Sequence, residues 1–334
     1  MLTTGSSDLS RLYLSSGQNA RLKADLARLS AELSSGQVAD PARRLGAGLP
    51  RLADLDRQLG LTEGFTRATV QVTHSLRIMQ NALDAVEGAR SALADNALLV
   101  SGTGGSMRVT TVAETARQGF STTVSALNAR IGNQSLFAGR ATDVSPLAPA
   151  DQMLAALRLA VAGAVTVQDA VDVVDAWFAP GGGFHTDGYL GDSGVPLSRQ
   201  VDQGVTVTIP LRADDPALTG ILAATAMAAL ADDPALAFSD EARRQLVARA
   251  GERLLTAAEP LVQTAARLGQ AEARLDAVAS THAARSSALS LMRTELLAAD
   301  PFDAAAALQE VQTQLETHYA LTARLSRLSL ANYL

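Results

Sequence analysis

Cysteine is absent from all 334 residues, which removes disulfide frameworks, thiolate zinc sites and thiol nucleophiles together. That composition fits a cytosolic chain, or an exported one that avoids oxidative mispairing. Lysine occurs once, as Lys23, and the formal charge of −6 comes from acids interspersed with arginines. Without a basic block there is no electrostatic footprint of a nucleic-acid binder, and no nucleic-acid partner is expected. Aromatic residues are only 4% of the chain, which favours long packed helices over a thick globular core. No run of about 18 apolar residues occurs, so no membrane span is expected. The alanine-rich stretch from Leu154 to Val174 comes nearest, but Arg158, Gln168, Asp169 and Asp172 interrupt it. The opening MLTTGSSDLSRLYLSSGQ has neither a basic start nor a continuous apolar core, so no cleavable secretory signal is expected.

Periodicity is what the chain has in abundance. Leu12, Ser15, Asn19, Leu22, Leu26, Leu29 and Leu33 alternate steps of three and four, which places them on one helical face. The stripe then meets Ser34-Ser35-Gly36 and Asp40-Pro41. Gly36 suits the left-handed position just past a helix end. Asp40 can cap a following short helix whose first turn accepts Pro41 without loss, since its N–H would be unpaired there anyway. A second stripe runs from Phe65 through Thr69, Val72, Leu76, Met79 and Leu83 to Val86 and Leu93, and stops at Ser101 to Gly105. A third runs from Val109 through Ala113, Ala116, Phe120, Val124 and Leu127 to Ile131, and stops at Gly132-Asn133. Short glycine loops between long helices point to antiparallel neighbours.

From about Asp143 prolines accumulate and a glycine-rich stretch runs from Gly181 to Gly194. Val205, Val207 and Ile209 alternate with threonines, and Leu197 to Val201 precedes them across Asp202-Gln203-Gly204, which reads as a β-hairpin. Helices are expected at about 151–162, 167–178 and 216–231, giving a small inserted α+β domain. The longest seam follows it: Ala250, Leu254, Ala257, Leu261, Thr264, Leu268, Ala271, Leu275, Val278, His282, Arg285, Leu289, Met292 and Leu296. Such a heptad pattern is coiled-coil evidence. Ser239 is positioned to cap it, while Pro260 leaves open whether the helix bends. After Asp300-Pro301 a last helix carries Leu308, Val311, Leu315, His318, Thr322, Leu325 and Ser329 on one seam. An isolated amphipathic helix cannot bury its stripe alone in water. The expected fold is therefore mainly α, an elongated antiparallel helical bundle or coiled-coil rod with the first and last helices paired.

Candidate chemistry is sparse. Gly191-Asp192-Ser193-Gly194 resembles a serine-protease nucleophile loop, but that chemistry needs a histidine base and a buried aspartate on a double β-barrel. None of His74, His185, His282 and His318 lies in a matching context, so the loop reads as a glycine-rich approach to the hairpin. Nor do these histidines form a metal-ligand spacing. Gly102 to Gly105 lacks the strand and Lys-Ser/Thr of a phosphate loop. His282 and His318 occupy seam positions, where a polar group either fixes register or reaches solvent at the edge. Trp177 beside Phe178 reads as a core anchor of the inserted domain. Neither enzyme activity nor a cofactor is expected.

The segment LSAELSSGQVADP (29–41) resembles the N-terminal signature of the flagellin superfamily. GNQSLFAGRATDVSPL (132–147) is similar to that family's exit from its third helix. DGYLGDSGVPLSRQVDQGVTVTI (187–209) is similar to the hairpin region of the superfamily's hook–filament junction proteins. DPFDAAAALQEVQTQLETHYALTARLSRLSLANYL (300–334) resembles their C-terminus. Asp40-Pro41, Leu136 to Gly139 and the closing Asn332-Tyr333-Leu334 favour the junction type, whereas Pro41-Ala42-Arg43-Arg44 departs from the pattern. The resemblance implies a structural adaptor joining hook to filament. It also implies export unfolded by flagellar type III secretion and an extracellular place in the bacterial flagellum. Its implied partners are copies of itself in a helical ring, another hook-associated protein and flagellin as axial neighbours, and a cytosolic chaperone at the C-terminal helix. Residues 1–40 with 300–334 would form the inner tube, 41–142 with 236–299 the rod, and 143–235 an outward-facing domain. Leu22, Leu26, Leu29, Leu33, Leu308, Val311, Leu315 and Leu325 would be the assembly seam, with Gly36, Asp40, Pro41, Asp300 and Pro301 as joints. The alternatives are a flagellin filament subunit and a non-flagellar coiled-coil scaffold or adhesin.

Overall fold

The structure, a computed structural model, describes residues 4–103 and 106–331, with side-chain surroundings for 13–100 and 107–324. Over these residues the chain is mainly α. Helix α1 (Thr4–Ser35) is followed by short α2 (Pro41–Leu45), a 3-10 turn (Gly46–Gly48), α3 (Leu49–Thr103) and α4 (Ser106–Leu127). Strands β1 (Arg130–Ile131) and β2 (Gln134–Ser135) form a minimal antiparallel hairpin. Then come α5 (Ala150–Val161), α6 (Val167–Phe178), strands β3 (Ser198–Asp202) and β4 (Val205–Thr208), α7 (Pro216–Leu230), α8 (Asp240–Thr256), α9 (Ala258–Leu297) and α10 (Pro301–Ala331). Two compact units result: residues 1–63 with 283–334, and residues 64–282.

The second unit is built around α7. Thirteen of its fifteen residues are buried, and α4, α6 and α8 all pack on it. A helix that is apolar on every side has no solvent face to offer, so it lies inside. Asp215 starts it, accepting the Ala217 N–H at 3.0 Å, with Pro216 in the first turn. Around it the periodic faces close as the spacing predicts. Val109, Ala113, Ala116, Phe120, Val124 and Leu127 of α4 are buried, as are Thr69, Val72, Leu76, Met79, Leu83, Val86 and Leu93 of α3. Small residues let these helices approach closely. A Cβ on Gly251 of α8 would lie 2.8 Å from the Ala97 Cβ of α3.

Two boundaries differ from the sequence reading, and the structure fixes a third. Helix α3 begins at Leu49, since Pro50 falls in its first turn, where proline needs no donor. Helix α4 stops at Leu127, so Ile131 leaves the helical seam and pairs with Gln134 across Gly132-Asn133. Gly132 takes φ +55° there, a turn conformation that suits glycine. At the third, which the sequence leaves open at Pro260, the seam capped by Ser239 is two helices divided at Ala257. Pro260 favours a break nearby: it has no N–H for the Thr256 carbonyl four residues back, and its ring crowds that carbonyl.

Residues 132–215 fold against the core through a few close contacts. Trp177, Phe178, Phe184 and Tyr189 cluster, with ring centroids of Trp177 and Phe178 4.7 Å apart and of Phe178 and Phe184 5.3 Å apart. Burial, reinforced by Asp214, pushes the Tyr189 phenol well above its ordinary range. In the Leu136 to Gly139 run, Phe137 is fully buried. Gly139 has φ +64°, and a Cβ there would come within 2.4 Å of the Asp192 carbonyl oxygen. Asp192 in turn donates its N–H to the Ala138 carbonyl at 2.9 Å. Its carboxylate accepts the Gly194 N–H at 2.8 Å, and Arg212 donates to the Gly194 carbonyl at 2.8 Å. The Gly191 to Gly194 loop is thus tied down by bonds to its backbone from Ala138, Asp192 and Arg212, as a structural approach to the β3–β4 hairpin.

Candidate functional site

The residues singled out at the chain's two ends meet in the first unit. Helices α1 and α10 pack together and run antiparallel: Ser15 near the start of one faces His318 near the end of the other. Leu29 and Ala304 are each 6% exposed, while Leu22, Leu26, Leu308, Val311 and Leu315 are half-buried. Leu33 is 41% exposed and sits outside the closed part of the seam. The Leu325 side chain and Asn332-Tyr333-Leu334 lie outside the described residues. Large apolar side chains also stand in solvent on this pair: Tyr13, Leu14, Phe302, Tyr319 and Leu321. Pairing two helices therefore covers one stripe only partly and leaves further apolar surface on both.

At the joints the two chain segments are bonded to each other. Gly36, at φ +67°, closes α1 by donating its N–H to the Glu32 carbonyl at 2.9 Å. The chain then turns beside the end of α9. Val38 N–H donates to the Leu297 carbonyl at 2.8 Å, Ala299 N–H donates to the Gly36 carbonyl at 3.0 Å, and Gln37 bridges Ala298 antiparallel. Asp40 accepts the Arg43 N–H at 3.1 Å to start α2, and Asp300 accepts the Phe302 N–H at 2.8 Å to start α10. Pro41 and Pro301 each take the first helical position.

Asp-Pro recurs elsewhere in this chain: Asp215 accepts the Ala217 N–H at 3.0 Å at the start of α7, and Asp233 accepts the Ala235 N–H at 2.9 Å in a turn that starts no helix. What distinguishes the pairs at 40 and 300 is the β-bridge between the segments that lead into them. That relation has no trace in a local motif.

The sequence reading misses the side chain that fixes the linker. Glu32, 9% exposed, accepts the Ala39 N–H at 3.2 Å and the Arg28 guanidinium at 3.2 Å. Arg28 reaches Asp25 as well, at 3.0 Å. Its pKa is held above the ordinary value first by the bond to Asp25, with burial opposing and Glu32 adding to the rise. The available signal is Arg28 and Glu32 at an i, i+4 spacing on the seam side of α1. A cleft of about 360 Å³ opens beside them, lined among others by Val38, Arg43, Asp300 and Ala304. Deeper in the same unit, Leu55 and Leu289 are buried and Arg293 donates to Asp56 at 2.7 Å.

Both seam histidines have partners. His318 Nε2 lies 3.2 Å from the Ser15 carbonyl and 3.5 Å from its hydroxyl, pinning α10 against α1. His282, in the second unit, is fully buried and stacks on Phe65 at 6.2 Å. Its Nε2 faces the Val201 carbonyl at 2.8 Å, so that nitrogen carries the proton. Thr69 donates to the same carbonyl at 3.4 Å, tying the β3 strand end to α3 and α9. These are register contacts. Arg285 and Met292, by contrast, are exposed. Among the described residues no group of three or more histidines and carboxylates is placed to hold a metal ion. No described helix is long and apolar enough to cross a membrane.

Residues 253–334 match the family model of the bacterial flagellin C-terminal helical region. That span takes in the last turn of α8 and all of α9 and α10, including the Asp300-Pro301 joint and the seam that faces α1. A solved structure described as that of a flagellar hook-associated protein from Vibrio parahaemolyticus shares the fold, with a TM-score of 0.53 at 14% sequence identity. The match covers 76% of this chain and 99% of that one. No curated protein matches the chain. The chain is flagellin-like in the sequence of its C-terminal quarter, and its fold is similar to that of the hook-associated protein.

Proposed function

We propose that the chain is a structural subunit of the bacterial flagellum that joins hook to filament and assembles through α1 and α10. The observation that carries this reading is the antiparallel terminal pair. Its seam is only half closed within one chain, and its second half falls in the flagellin-type region. Helices with uncovered stripes gain from burial against further copies, and heterologous contacts between identical units generate rings and helical tubes. Leu22, Leu26, Leu308, Val311 and Leu315 are then the contact residues. The joints at Gly36, Asp40-Pro41 and Asp300-Pro301 separate the assembling helices from the rest of the chain.

In this reading residues 1–40 with 300–334 form the inner layer, 41–142 with 236–299 the surrounding rod, and 143–235 the outward part. The role is structural rather than catalytic. Copies of itself, another hook-associated protein and flagellin are the axial and lateral partners, and a cytosolic chaperone holds the C-terminal helix before export. The protein then resides outside the cell at the hook–filament junction.

A strain lacking the gene tests this directly. It should keep its hooks, lose its filaments and release flagellin into the medium. Restoring the wild-type gene should restore filaments, whereas Leu315→Asp should not. Filaments of normal length in the deletion strain would refute the reading. A second reading, a filament subunit, is favoured by the flagellin description of the matched region. Growth of long filaments by the purified chain on seeds would select it.

A further inference from the structure

The division of the returning helical strand at Ala257 is more than a proline effect. Pro260 accounts for a missing donor at the Thr256 carbonyl, but a second group acts two residues earlier, at the Leu254 carbonyl. Arg90 of α3 is 7% exposed, and its Nη1 donates to the Leu254 carbonyl of α8 at 2.7 Å. In a continuous helix that carbonyl would accept from the N–H of Ala258. The rest of the guanidinium is held by one carboxylate. Its Nε donates to Glu87 Oε2 at 2.7 Å and its Nη2 to Glu87 Oε1 at 2.6 Å.

Glu87 and Arg90 are three residues apart on α3, so a rigid helix presents the fork at a fixed height. Around the break, Ala257 donates its N–H to both the Arg253 and Leu255 carbonyls, and Thr256 turns its hydroxyl back to the Arg253 carbonyl at 2.9 Å. A cleft of about 500 Å³ borders the turn, lined in part by Phe178, Ala217, Thr256, Ala257 and Pro260. The turn therefore has free volume beside it.

We infer that Arg90 is a latch, a side-chain cap from α3 that captures the end of α8 and holds a joint between α8 and α9 in its broken form. Pro260 permits the break; Arg90 selects and fixes it. Without the guanidinium the Leu254 carbonyl returns to a backbone donor, and the bordering cleft gives the turn room to move. This inference concerns the joint alone and does not rest on the assembly reading.

The absence of native cysteine allows spin labels to be placed uniquely, through Arg249→Cys and Ala273→Cys on exposed positions of α8 and α9. Twenty-four residues of continuous helix would separate their backbones by about 36 Å. Pulsed electron-electron distance measurement on the full labelled chain should give one narrow distribution. Pro260→Ala with Arg90 intact should leave it unchanged. Arg90→Met should broaden it, and combining the two substitutions should move the main population to the continuous-helix distance. Should Arg90→Met fail to fold, Arg90→Lys serves in its place, because lysine keeps the charge but cannot reach Glu87 and Leu254 as a fork; broadening is again expected. A lowered melting temperature with an unchanged distribution would reduce Arg90 to a packing role and overturn the latch. So would a shift to the continuous-helix distance in Pro260→Ala alone.

Discussion

Helix α7 and the terminal pair α1–α10 use apolar residues in opposite ways. In α7 they cover every side and the helix is buried almost throughout. In α1 and α10 they form a spaced stripe, and pairing buries few positions fully, Leu29 and Ala304 among them. A core helix satisfies itself within its unit, whereas a striped pair with half-closed contacts keeps part of its apolar surface available. The contrast separates burial that completes a unit from a stripe that pairing leaves half open. The buried core residues lie mostly in the second unit, and the surface proposed for assembly lies in the first.

The sharpest way to break this comparison is to place a charge in each region. Leu222→Asp in α7 should unfold the second unit, since an unpaired buried charge costs several kcal/mol; loss of the cooperative melt and of near-ultraviolet circular dichroism would register it. Leu315→Asp should leave that melt in place while abolishing incorporation into flagella, scored by electron microscopy. A smaller effect in the core comes from Phe120→Ala, expected to lower stability by about 3–5 kcal/mol in denaturant titration. Gly251→Val should cost about 1–3 kcal/mol, because the new side chain meets Ala97, and Ala97→Gly should recover part of that loss. Smallest, Asp300→Ala should remove about 1 kcal/mol from the start of α10. In the assembled state that loss should be harder to detect than in the monomer, as neighbours hold the helix.

The same contrast explains how much was legible in the sequence. Stripes announce interfaces, so the faces of α3, α4, α9, α1 and α10 follow from steps of three and four. The local chemistry of Gly36, Asp40-Pro41, Ser239 and Asp300-Pro301 likewise gives correct helix ends. Helix α7 has no stripe. Its sequence, PALTGILAATAMAAL, identifies a helix but not the element on which α4, α6 and α8 converge, because an all-apolar surface carries no direction.

The bridge between Gln37 and Ala298 was also invisible. It joins residues far apart in sequence through backbone groups alone, and backbone groups leave no side-chain signature. The break at Ala257 lies between these cases. Pro260 marks its neighbourhood, while its partner Arg90 lies on another helix. Leu33 fits the heptad but not the seam, because the chain must leave the pair at Gly36 to reach its bridge.

Hydrogen exchange followed by mass spectrometry, on the dilute chain and on isolated flagella containing it, tests the central claim most directly. The account predicts slow exchange for α7 in both states. It predicts fast exchange for α1 and α10 in the dilute chain, and strong protection of both after assembly. Protection of α1 and α10 as slow as that of α7 in the dilute chain would contradict it, for the terminal pair would then be complete without neighbours.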